Sequence, residues 1–271
     1  MSFYNIDMVD TFNLAGFTLN VEERSALRTS LIVKQDEEKL ENIALWGKIL
    51  GIQADYFIAQ SYDSKLFDRK YYYTLDYVNW FQLPIVSPKD AEHCSIIQGK
   101  FIGDPSFEHT VPTESNSGVL AGTPDVKVKE EIRLAATISM INNDTEIVPR
   151  KAYYRDTNWI IKQNPEFKGL APEEIGQLSN YLHFRDGFQP STRTFSELMN
   201  QFDETIDIFE PITVDEPKGC WSIQTERGGA CAILRNLVWP GYSLTHTMYP
   251  FQYFGFYYGS GVKNHNIGYM L

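Results

Sequence analysis

Cysteine, histidine and positive charge are all in short supply in this chain, and each shortage removes a class of function. There are three cysteines and five histidines in 271 residues. The odd number and wide spacing of Cys94, Cys220 and Cys231 suit a reducing compartment better than a disulfide framework. Histidines and cysteines fall into no recurring ligand spacing, so no zinc site is expected, and the calcium-loop pattern is absent. No cofactor is expected either. Lys and Arg total 24 against 35 Asp and Glu, a net charge of −11. Such a chain repels phosphates and anionic lipid, which argues against a nucleic-acid partner or membrane docking. No run approaches the roughly 18 apolar residues of a membrane span, and the start, MSFYNIDMVDTF, lacks the basic-then-apolar order of a secretory leader. The expectation is a soluble intracellular protein of the cytoplasm.

What the chain does have is apolar and aromatic mass, 43% and 14% of its residues. The rings crowd into the region 219–271, with Trp221, Trp239, Tyr249, Tyr253, Phe254, Phe256, Tyr257 and Tyr258. That is more ring surface than one short sheet is expected to hide. Aromatic side chains dominate core and interface energetics, and Tyr and Trp suit half-wet contacts. Trp239, Tyr253, Phe254 and Tyr257 are therefore the candidate anchors of a partner interface.

Four helices are predicted. Asn20 with Glu23 forms a capping box ahead of Leu27 and Leu31. Thr123-Pro124 starts a second helix running to about Asn142, with Val128, Ile132, Ala135, Ala136 and Ser139 on one face. A third begins at Pro172-Glu173-Glu174, buries Ile175, Leu178 and Leu182, and stops before Asp186-Gly187. The run Thr194-Phe195-Ser196-Glu197 caps a fourth. Strands are predicted at Ile43–Leu50, Ala54–Gln60 and Lys70–Leu75, then Trp221–Glu226 and Ala230–Leu237 across Arg227-Gly228-Gly229, then near Ser243–Met248 and Tyr253–Tyr258. Asp104 to Gly122 reads as a long exposed loop. The class is α+β: an antiparallel β-meander and hairpins with a few packed helices, in a single domain over 1–271. The hairpin register places Cys220 opposite Leu237 or Asn236 and Cys231 opposite Glu226 or Thr225. The two sulfurs are then roughly 17–20 Å apart, far beyond disulfide reach.

Catalytic chemistry finds little support. Gly259-Ser260-Gly261 lacks the helix and further residues of a phosphate cradle and reads as a tight turn. Ser243 and His246, three apart on a strand, face opposite sides. His93 adjoins Cys94 with nothing to activate the thiol. Asp203, Glu204, Asp207, Asp215 and Glu216 read as solvated acids. The alternatives are a pair of them driving glycoside hydrolysis, or a carbohydrate- or small-ligand-binding module using Trp239 and Tyr242.

Several blocks then occur in a telling order: Leu45-Trp46-Gly47-Lys48-Ile49-Leu50-Gly51 with Asp55-Tyr56-Phe57-Ile58-Ala59-Gln60; Gly99-Lys100-Phe101-Ile102-Gly103-Asp104-Pro105-Ser106; Val148-Pro149-Arg150; Tyr181-Leu182-His183-Phe184-Arg185; Gly219-Cys220-Trp221-Ser222-Ile223-Gln224; Leu234 to Gly241; and Gly259 to Asn264. Over most of its length the chain resembles the radial spoke head family of motile cilia and flagella. It departs from the family's pattern at Asn164 to Leu170, at Gly268-Tyr269-Met270-Leu271, and at Lys151, where the family usually has glycine. Its length favours a shorter member over the considerably longer spoke head proteins 4 and 6. The resemblance implies a non-enzymatic subunit of the axonemal spoke head. Its implied partners are radial spoke head proteins 4 and 6 and spoke head protein 1, with central-pair projections contacted indirectly. The implied role is assembly of the head and mechanical relay to dynein.

Overall fold

Alternation and capping decide most of the elements. The computed structural model describes residues 16, 19–62, 66–111, 126–185, 208–249 and 251–267. The chain divides into two compact units, one of residues 20–142 with 257–262, the other of 1–19, 143–256 and 263–271.

In the unit centred on 20–142, helix α1 spans Val21–Glu37. The Asn20 N–H donates to Glu23 Oε2 at 2.8 Å, closing one half of the expected capping box. Leu27, Ser30 and Leu31 form its buried face, as the spacing predicts. Strands β1 (Asn42–Ile49), β2 (Tyr56–Tyr62), β3 (Tyr71–Thr74) and β4 (Phe81–Gln82) then run as an antiparallel meander. Helix α2, Pro88–Ile96, was not foreseen, although Ser87 caps it by accepting from the Asp90 N–H and proline opens it. Strand β5 (Glu108–Val111) pairs with β6 (Val126–Lys129), and helix α3 covers Glu130–Thr145.

Two expectations fail in this unit. Glu108–Val111 is strand within the stretch read as a loop, and residues 112–125 lie outside the described set. The helix expected from Thr123-Pro124 begins only at Glu130. Val126-Lys127-Val128-Lys129 alternates with period two, and Val128 is buried with Val111, Cys94 and Ala136, so pairing with β5 wins over helix.

The other unit holds β7 (Ile147–Pro149), β8 (Tyr153–Arg155), β9 (Ile161–Gln163), β10 (Tyr181–His183), β11 (Trp221–Glu226), β12 (Cys231–Asn236), β13 (Tyr242–Met248) and most of β14 (Phe251–Gly259). Strands β11 to β14 are neighbours in that order. Cys231, Ala232, Ile233 and Leu234 are all buried, so both faces of β12 are covered there. Glu226 faces Cys231 and the Leu237 N–H donates to the Cys220 carbonyl, so the expected register holds across a four-residue connection. All three cysteines are free.

No helix forms at Pro172. The segment makes turns and one 3-10 turn at Leu178–Asn180, then becomes β10, paired with β7. Ile175 and Leu182 are buried as expected, but from separate elements. Gly176 weakens a helix here, and the Tyr181 hydroxyl donates back to the Ile175 carbonyl at 2.9 Å, locking the turn. The fourth expected helix, with Thr194 to Glu197, lies outside the described residues. The mixture of helices and mainly antiparallel strands is the α+β class read from the sequence.

Candidate functional site

The sequence blocks that look most distinctive resolve into contacts between strands and loops. In the first unit, Trp46 Nε1 donates to Asn142 Oδ1 at 2.7 Å and its ring stacks on Tyr257 at 5.5 Å between centroids. Gly47 sits at a register shift of β1 and faces Tyr257 of β14 in parallel pairing. Lys48, 8% exposed in its side chain, bridges Glu23 at 3.1 Å and Asp55 at 3.0 Å and lies over the Phe57 ring. Burial alone would lower the Lys48 pKa, but the two carboxylates outweigh it and hold the ammonium above its usual value. At the chain's far end, Gly261 takes φ +68 and its N–H donates to the Tyr257 hydroxyl at 3.0 Å, the tight turn expected of Gly259-Ser260-Gly261.

In the other unit the tail blocks meet at a polar cleft of about 310 Å³, lined among others by Asp144, His183, Arg185, Asp215, Asn236 and Lys263. Asp144 Oδ2 accepts from Trp239 Nε1 at 2.9 Å and from Lys263 Nζ at 2.8 Å. Burial raises the Asp144 pKa, yet these donors outweigh it and keep the carboxyl below the ordinary carboxylate range. Asp215 accepts from Trp221 Nε1 at 2.7 Å and holds His183 Nε2 at 2.8 Å. Arg185 pairs with Glu210. Asp144, Lys263, His183, Asp215 and Arg185 thus each have a polar partner.

The four expected interface residues are not brought together on a surface. Trp239, Phe254 and Tyr257 are buried, at 2%, 1% and 1% exposure, and Tyr253 is half-buried. Strand β14 pairs with β1, so rings near the C-terminus find cover from N-terminal residues such as Trp46, a pairing that local sequence does not reveal. Exposed rings lie elsewhere, at Trp159, Tyr249 and Phe81.

The other candidate groups divide. Trp239 and Tyr242 are both buried and offer no open face for stacking a sugar. Asp203, Glu204 and Asp207 lie outside the described residues. Burial pushes the Cys94 and Cys220 thiols up to about 11, the state of inert structural cysteines. His183, within the stretch expected as the third helix, is instead a buried strand residue. Among the described residues no group of three or more His, Cys, Asp or Glu is placed to hold a metal, and no helix is long and apolar enough to cross a membrane.

Comparison with known proteins agrees with the motif reading. The profile of the family described as "Radial spokehead-like protein" matches residues 5–65. Radial spoke head protein 9 homolog of Danio rerio is 38% identical over 262 residues, covering 94% of each chain. The homologs of Homo sapiens and Bos taurus are 36% and 35% identical, each covering 95% of both chains. With identity above 30% spread over nearly the whole length, the chain belongs to the radial spoke head protein 9 family, which is a family of the axonemal radial spoke head of cilia and flagella.

Proposed function

We propose that this protein is a non-enzymatic structural subunit of the radial spoke head, where it helps assemble the head and passes mechanical contact from the central pair towards dynein. The observation that carries this reading is end-to-end similarity to radial spoke head protein 9 homologs. The chemistry of the motifs supports it. Trp46, Gly47, Lys48, Trp221, Trp239, Gly261 and Lys263 are spent on hydrogen bonds, ion pairs and close packing inside the chain. A side chain tied in this way stiffens the fold and leaves little freedom for a moving catalytic group. Radial spoke head proteins 4 and 6 and spoke head protein 1 are its proposed neighbours.

The test is removal of the chain from a ciliated cell, followed by isolation of radial spokes. Heads that lack this subunit, assemble poorly and are restored by the full chain are the expected result. Complete heads and unchanged beating after removal would refute the reading.

A further inference from the structure

The hairpin of β8 and β9 carries a residue that its own fold does not favour. Arg155 pairs with Ile161, and residues 156–160 make the connection. The Trp159 N–H donates to the Asp156 carbonyl at 2.8 Å and the Asp156 N–H donates to the Ile160 carbonyl at 2.9 Å. Asp156 also accepts from the Thr157 N–H at 2.7 Å and from Lys162 Nζ at 2.6 Å. The connection is therefore well tied. Within it, Trp159 adopts φ +63, in the left-handed region that hairpin turns of this kind normally fill with glycine or asparagine. A bulky side chain there destabilises the turn.

Packing gives nothing back. Trp159 is 75% exposed and the neighbouring Ile160 is 54% exposed. Among the described residues its one ring contact is with Arg155, whose guanidinium carbon lies 5.1 Å from the ring centroid. Among the described residues no carboxylate pairs with Arg155. Between Tyr153 and Gln163, Arg155 and Lys162 against Asp156 leave a net charge of +1, in a chain whose total is −11. The tip is thus an aromatic knob with an unpaired cation beside it, held on a rigid turn. Trp and Arg are the residue types most enriched among binding hot spots, and a preformed pair loses little conformational freedom on docking.

We propose that Trp159 and Arg155 form a preorganised anchor that seats in an apolar pocket rimmed by carboxylates on another protein subunit. This rests on the spoke head reading above, because the partner is taken to be a neighbour within that head. Trp159 enters the pocket, Ile160 widens the apolar contact, and Arg155 meets the acidic rim. Two copies of a chain of net charge −11 repel each other as they approach, which disfavours a second copy as the occupant.

The discriminating feature is that fold and binding move in opposite directions. Trp159→Gly relieves the left-handed strain, so the Tm of the full chain rises by about 1–3 °C. The same substitution raises the Kd for purified spoke heads depleted of this subunit by about 10–30-fold, as loss of a hot spot does. Trp159→Asn, which also tolerates this φ, gives the same pairing of effects, and Arg155→Glu weakens binding by about 10-fold at unchanged Tm. A photo-cross-linker at position 159 captures a neighbouring spoke head protein at a segment containing Asp or Glu. Unchanged Kd in both Trp159 variants, or cross-linking only to another copy of this chain, overturns the proposal. Incorporation of the wild-type chain tests the subunit reading separately. If wild type fails to enter the depleted heads, that reading falls and takes this one with it.

Discussion

Gly47 faces Tyr257 so closely that a Cβ at position 47 would lie 2.3 Å from the Tyr257 carbonyl oxygen. The contact is backbone against backbone, at the point where β1 shifts register and pairs in parallel with the end of β14. No flexible side chain can move aside. Gly47→Ala is expected to push the strands apart and cost about 1–3 kcal/mol or more, the range of overpacking in a tight interior. A drop in the urea midpoint at unchanged m-value is the expected reading.

Glu130 opens α3 with a carboxylate that is fully buried. It accepts from the Tyr56 hydroxyl at 2.8 Å, from the Ile102 and Gly103 N–H groups at 2.9 and 2.7 Å, and contacts His109 Nε2 at 3.0 Å. Burial works to raise its pKa, but the backbone and hydroxyl donors win and hold it below the ordinary value of 4.5. His109 is itself pushed below 6.5, mainly by burial, so near neutrality it serves as a neutral donor. Glu130→Gln sets an amide among donors and strips Arg133 of a nearby negative charge. About 3–5 kcal/mol of stability is expected to be lost. Because the folded pKa is depressed, the carboxylate's contribution is complete above about pH 4.5 and fades as the pH falls towards the folded value. The variant should lose this acid limb, measured as unfolding free energy against pH.

His246 contributes acid sensitivity in a higher window. It is fully buried, with Nδ1 3.2 Å from the Tyr181 hydroxyl and with the rings of Tyr181, Phe251 and Tyr253 around it. Since the Tyr181 proton is committed to the Ile175 carbonyl, Nδ1 is the donor of this pair. Burial pushes the His246 pKa down to about 4, against 6.5 when exposed. The unfolded chain therefore binds the extra proton first, and stability falls as pH drops from 6.5 to about 4, by about 3 kcal/mol in all. His246→Gln should flatten that slope, and a slope identical to wild type would remove His246 as its source.

The strands β1 to β3 and β11 to β14 and the first cap were legible because these are local signals. Alternation at Ile43 to Leu50, the glycine pair at Gly228-Gly229 and the Asn20–Glu23 box each report on a few neighbouring residues. Two of the misses were decided at long range. Val126 to Lys129 became strand by pairing with β5, and Tyr181 to His183 became strand by pairing with β7. The burial of Trp239 and Tyr257 depends on Asp144 and Trp46, 95 and 211 positions away in the chain. Helix α2 has a local signal too, since Ser87, Pro88 and Asp90 spell a helix start.

Trp239 separates the hydrogen bond of a ring from its bulk. Its indole N–H satisfies half-buried Asp144, while Lys263 holds the same oxygen and lies 5.7 Å from the ring centroid. Trp239→Phe retains most of the packing and removes one donor, so a loss of about 1–3 kcal/mol is expected. Trp239→Ala adds a cavity and should cost about 3–5 kcal/mol. In a double-mutant cycle, Trp239→Phe and Lys263→Met should couple by about 0.5–3 kcal/mol through their shared carboxylate. Strict additivity would mean that Asp144 does not link them.

Lys151 gives the opposite sign. It follows the Pro149-Arg150 pair at φ +73, in the left-handed region that favours glycine. Its ammonium lies 3.9 Å from Glu174, and both side chains are well exposed, so the ion pair contributes at most a few tenths of a kcal/mol. The backbone term is larger. A side chain with a Cβ in the left-handed region costs about 1–2 kcal/mol, and glycine gives back part of that gain through its freer unfolded state. Lys151→Gly should therefore stabilise the chain by about 0.5–1 kcal/mol, seen as a higher thermal midpoint. Lys151→Ala keeps the Cβ and loses only the ion pair, so it should leave the midpoint unchanged or slightly lower. If the two variants shifted it equally, the charge and not the backbone would be the governing term at this turn.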